Sequence, residues 1–85
     1  MEILWDEPKR QNTLKTRGMD FANVTEEFFE AALIVQAKNN RFMAIGIIDD
    51  EPISVVFLPL GTEAISIISM RHASRKERNA YAQAF

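Results

Sequence analysis

Hydrophobic and polar positions along the chain change their period three times. Glu2–Trp5 is a short apolar run that predicts an opening strand. Asp6 then supplies an N-cap, and Pro8 is tolerated in the first turn of the helix that follows, where its missing N–H costs nothing. That helix should run to about Arg17 and stop at Gly18, with Leu14 as its single large apolar residue. Asp20 predicts a second cap, with Met19 and Val24 spaced as a hydrophobic staple. Phe21, Val24 and Phe28 recur at helical spacing, Phe29 and Ala32 widen the stripe, and Glu26, Glu27 and Glu30 form the outer face.

From Leu33 onward the pattern becomes strand-like: Leu33–Ala37, Arg41–Ile48, Ile53–Leu60 and Glu63–Met70. The separators Lys38-Asn39-Asn40, Asp49-Asp50-Glu51-Pro52 and Leu60-Gly61-Thr62 are too brief to carry a crossover helix, so these neighbours should pair antiparallel. Ser74-Arg75-Lys76-Glu77 has the form of a capping box and predicts a final helix, with Ala80, Tyr81 and Ala84 along one side. The expected order is β-α-α-β-β-β-β-α: an α+β domain with two helices on one face of a four- or five-stranded antiparallel sheet and the last helix at one end.

No linker, repeat or low-complexity tract divides residues 1–85, so a single domain is expected. Apolar residues make up 47% of the chain, enough for a core at this length. No cysteine is present, which excludes disulfides and thiolate zinc sites, and one histidine cannot form a histidine cluster. Neither a metal nor another cofactor is therefore expected. The longest apolar runs, such as Val55–Leu60, are too short to span a bilayer, and the first residues lack a signal-peptide pattern. These features predict a soluble, cytoplasmic protein with no membrane partner.

The net charge of −2 is unevenly spread. Residues 19–34 carry four acidic and no basic groups, whereas residues 71–85 carry four basic groups and one acidic. Such segregation suits an anion-binding region beside a separate acidic face, and it equally suits chance clustering on a solvated surface.

The basic cluster lies in Arg71-His72-Ala73-Ser74-Arg75-Lys76-Glu77-Arg78, where the last strand gives way to the last helix. A helix N-terminus offers unpaired N–H groups and a partial positive charge to a phosphate. Cleavage of RNA requires deprotonation of the 2′-OH, stabilisation of the phosphorane charge and protonation of the leaving 5′-oxygen. Arg71 and Arg75 are candidates to hold phosphate oxygens in planar forks. His72 is the candidate proton carrier, because histidine is the side chain whose ordinary pKa lies nearest neutrality. Lys76, Arg78 and Tyr81 are candidate RNA contacts, Tyr81 through its hydroxyl or by stacking on a base. A second basic group, Lys9, Arg10, Lys15 and Arg17, lies on the polar first helix, where it can track a nucleic-acid backbone or merely keep that helix solvated. Asp49-Asp50-Glu51 has the composition of a metal patch but the setting of a solvated hairpin tip.

Several of these pieces together resemble one family. They are Leu4-Trp5-Asp6-Glu7-Pro8-Lys9, then Asn12, Leu14 and Arg17-Gly18-Met19-Asp20-Phe21, the strand Phe42-Met43-Ala44-Ile45-Gly46, and Ile67-Ile68-Ser69-Met70-Arg71-His72-Ala73-Ser74-Arg75-Lys76-Glu77-Arg78 with Tyr81. The chain is similar to the BrnT toxins of the RelE-like ribonuclease group over nearly its whole length. That resemblance implies a RelE-like fold and a metal-independent endoribonuclease that cuts RNA and inhibits translation. It also implies a BrnA-type protein antitoxin, through which the pair would bind its operon DNA. Arg71, Arg75, Lys76, Arg78 and Tyr81 are the family-like residues for RNA. His72 stands where the family commonly has Lys or Arg, so its role rests on the chemical argument alone. Leu58-Pro59-Leu60 replaces a strand end that often carries an arginine. The alternative reading is a toxin-like module that binds its antitoxin without cutting RNA.

Overall fold

The computed structural model describes residues 1–85. Its elements are β1 (Glu2–Trp5), α1 (Glu7–Arg17), a 3-10 turn (Phe21–Asn23), α2 (Glu26–Ala31), β2 (Leu33–Gln36), β3 (Phe42–Ile48), β4 (Glu51–Leu60), β5 (Ala64–His72) and α3 (Arg75–Ala84). This is a mixed α+β fold of five strands and three helices.

Local chemistry sets the helix ends. The Asp6 carboxylate accepts from the Lys9 amide at 3.2 Å, and Gly18 closes α1 with φ +68°, its N–H donating to the Leu14 carbonyl. The second helix begins later than the pattern predicts. Asp20 caps only the 3-10 turn, the backbone is extended at Val24 and Thr25, and the Thr25 hydroxyl then caps α2 by accepting from the Phe28 amide. Two consecutive β-branched residues disfavour a continuous helix there. The apolar stripe survives the break: Phe21, Val24 and Phe28 are all buried.

The strand order is β1-β5-β4-β3-β2. β2 through β5 pair antiparallel in sequence, as their short turns require, but β1 lies parallel to β5, with Glu2 opposite Ala64 and Trp5 opposite Ile67. The expectation of a wholly antiparallel sheet is thus corrected. Brief turns constrain only neighbours in sequence, and β1 reaches β5 across the rest of the chain. Asp49 and Asp50 both adopt left-handed φ (+50° and +65°), forming the two-residue hairpin turn that matches sheet twist.

One face of the sheet carries the core. Ala44, Ile53, Val55, Phe57, Ile65, Ile67 and Met70 meet Met19, Phe21, Val24 and Phe28 from the segment that crosses it. Phe29 joins this layer edge-on to Phe28 (5.5 Å between centroids) and to Phe57 (5.1 Å). Gly46 is what lets α2 sit down, since a Cβ there would lie 2.8 Å from Phe28 Cε1. α1 buries none of its residues. α3 packs on the opposite face, beside Val35, Met43 and Ile45.

Candidate functional site

β5 extends two residues beyond its expected end, so Arg71 and His72 belong to a strand rather than to a turn. Neighbours in a strand point to opposite faces. Arg71 pairs across the sheet with Ser54, and His72 with Ile53. Arg71 therefore projects beneath α3, while His72 projects towards the core-face side. Arg71 and His72 thus stand on opposite faces of β5.

On the α3 side, the Arg71 guanidinium forms a fork on Glu77, with Nη1 donating to Oε1 at 2.7 Å and Nη2 to Oε2 at 2.8 Å. The Ser54 hydroxyl, 1% exposed, and the Ser74 amide each donate to the same Oε1 at 2.8 Å. Glu77 also completes the capping box, its own amide donating to the Ser74 hydroxyl. The Arg71 fork, helped by the Ser74 amide and Ser54 hydroxyl against the cost of burial, holds the Glu77 carboxyl down at about 2. Arg71 is raised in return by the same fork.

On the other side, His72 Nδ1 lies 3.3 Å from Glu51 Oε2, both side chains well exposed. They edge a cleft of about 190 Å³ whose walls include Arg17, Asp20, Asn23 and Asp49. Arg17 Nη1 donates to the Met70 carbonyl at 2.8 Å, which ties the end of α1 to β5. Arg78 donates to the Ala73 carbonyl at 3.0 Å. Arg10 is committed to Asp20 (Nε to Oδ1, 2.7 Å) and to Glu7 (Nη1 to Oε2, 2.8 Å). Those bonds raise Arg10 and lower Asp20, and Glu7 is lowered chiefly by Gln11, Trp5 and Arg10.

Of the ten residues singled out in the sequence, Lys9, Lys15, Arg75 and Lys76 are exposed cations whose side chains make no hydrogen bond within the protein. Arg75 and Lys76 occupy the first turn of α3, only three residues past His72. Tyr81 lies apart from Arg71, its ring 4.8 Å from that of Phe85 and its side chain bordering a groove with Phe28 and Ile47. Sequence reasoning missed Glu51 as the partner of His72 and Ser54 as a donor to Glu77. Both depend on cross-strand register, which no local motif announces.

The family model described as "Ribonuclease toxin, BrnT, of type II toxin-antitoxin system" matches residues 5–77. The chain belongs to the BrnT family. Among solved structures, the BrnT ribonuclease toxin of Brucella abortus, determined at 1.1 Å, is 49% identical with a TM-score of 0.81, over 88% of this chain and 99% of that one. No curated protein sequence gives a match. BrnT membership makes this chain a ribonuclease toxin by family and implies a protein antitoxin as its partner. The BrnT match covers the whole path from Trp5 to Glu77, and so includes both faces of the β5 end.

Proposed function

We propose that this chain cleaves RNA as the toxin of a type II pair, without a bound metal, and thereby inhibits translation in the cytoplasm. A BrnA-type antitoxin would neutralise it and carry the pair to operon DNA, and the fold would group with the RelE-like ribonucleases. The observation that carries the reading is the exposed His72, its Nδ1 3.3 Å from Glu51, three and four residues before the unpartnered Arg75 and Lys76.

In this mechanism the 2′-OH attacks the adjacent phosphorus and the bond to the 5′-oxygen breaks. His72 Nε2 accepts the 2′ proton, while Glu51 lies beside the Nδ1 edge of the ring. The leaving 5′-oxygen takes a proton from the imidazolium or from water. Arg75 and Lys76, exposed in the first turn of α3 three and four residues past His72, are assigned the stabilisation of the charge that builds on the phosphorane. Arg71 acts through Glu77: their fork fixes the start of α3 against β5, which holds Arg75 and His72 at a set spacing. Arg71 is therefore a positioning residue here. Lys9 and Lys15 extend the basic surface for the RNA backbone.

The test is cleavage of a labelled RNA by purified protein. His72→Gln and Arg75→Ala should each slow cutting by roughly 10²-fold or more, with folding unchanged. The second reading, an antitoxin-binding module without cleavage, draws on the Arg71–Glu77 fork, which occupies an arginine of the family pattern. It takes over if folded wild-type protein cuts no RNA yet forms a stable complex with the product of the neighbouring gene.

A further inference from the structure

The acidic run at residues 19–34 plays no part in the chemistry above, and the structure gives it a setting. β2 pairs with β3 only between Ile45 and Phe42, so the outer edge of Gly46–Ile48 has no strand beside it. A groove of about 260 Å³ opens at that edge, bordered by Glu27, Phe28 and Ala31 of α2, Ile47 and Ile48 of β3, and Tyr81 of α3. Its floor is apolar. Ile47 is 44% exposed, and Phe85, its ring tilted against that of Tyr81, is 71% exposed. The rim is acidic: Glu27 lines the groove and Glu30, one turn on, is exposed. No lysine or arginine borders the groove.

We infer that this groove is the docking site for a segment of a partner protein carrying apolar side chains flanked by lysine or arginine. An apolar floor at an unpaired sheet edge leaves surface that a partner would gain by burying. The acidic rim selects the sign of that partner's charge. On the toxin–antitoxin reading the occupant is the antitoxin, and the inference rests on that reading for this last step alone.

The experiment uses the full chain and two synthetic amphipathic peptides, one of leucine and lysine and one of leucine and glutamate, with affinity read by fluorescence anisotropy. The lysine peptide should bind, the glutamate peptide should not, and affinity should fall as salt rises. Glu27→Lys with Glu30→Lys should weaken binding about tenfold or more, as expected for two attractive contacts turned repulsive. Ile47→Ser should weaken it as well, whereas Glu2→Lys, on the opposite edge of the sheet, should leave it unchanged. Circular dichroism checks folding, and the charge reversals test the groove even if Ile47→Ser unfolds. Equal binding of the two peptides, or undiminished binding by the Glu27/Glu30 variant, overturns the inference. RNA cleavage by the Glu27/Glu30 variant should match wild type, so failure of the groove and failure of the ribonuclease reading give different results.

Discussion

Arg71 and Glu77 meet in a two-bond fork of 2.7 and 2.8 Å that ties the end of β5 to the first turn of α3. α3 has no buried residue of its own, so this polar joint, more than apolar packing, sets where the helix begins. Glu77 is only 13% exposed in its side chain, and Arg71 is 42% exposed. Removing one partner leaves the other short of its strongest bond. Arg71→Ala and Glu77→Gln should each cost about 1–3 kcal/mol in urea unfolding, and the double variant should cost less than their sum.

The same joint makes stability depend on pH in a defined window. The Glu77 carboxyl is lowered from 4.5 to about 2 in the folded protein, so between those values the unfolded chain binds the extra proton. Its contribution is complete above about pH 4.5 and is lost as pH falls towards 2. Denaturant midpoints measured from pH 6 to 2 should fall through this range. Glu77→Gln should flatten the curve there.

RNA affinity should separate the free cations from the committed ones. Arg75→Ala with Lys76→Ala should weaken binding and reduce the slope of log affinity against log salt by about 1.4, at roughly 0.7 per phosphate contact on a single strand. Arg10→Ala should leave that slope unchanged, because its guanidinium is occupied by Asp20 and Glu7. Its effect should appear instead as a lower melting temperature.

Gly46→Ala should destabilise the fold by about 1–3 kcal/mol, the usual cost of overpacking a core. The new Cβ would stand 2.8 Å from Phe28 Cε1 and 3.3 Å from Ala32 Cβ, and the Phe28 ring is held in the core. Thermal unfolding reads the loss directly. Gly46→Ala with Phe28→Leu should recover part of it.

Features carried by nearby residues were legible in the sequence: the Asp6 and Ser74 caps, the Gly18 stop, the turns between β2 and β5, and the buried stripe of Phe21, Val24 and Phe28. Features that depend on register were not. The Val56–Phe57 stretch of β4 meets a bulge, with Val56 opposite Ser69 and Phe57 opposite Ile67, so one residue of β5 is left over. That extra residue shifts which side chains of β5 face the core after it. A pattern of apolar letters cannot reveal such a shift, and it decides that Arg71 lies under α3 while His72 faces the cleft. The parallel pairing of β1 was hidden for a related reason, since two strands far apart in sequence share no turn that fixes their direction.

That parallel pairing has a consequence for synthesis. The first strand of the sheet finds its only neighbour in the last, and Trp5 cannot settle beside Ile67 until β5 exists. Contacts this distant make for slow assembly. During translation β1 must wait unpaired, so the sheet of a toxin built this way stays incomplete until β5 has been made.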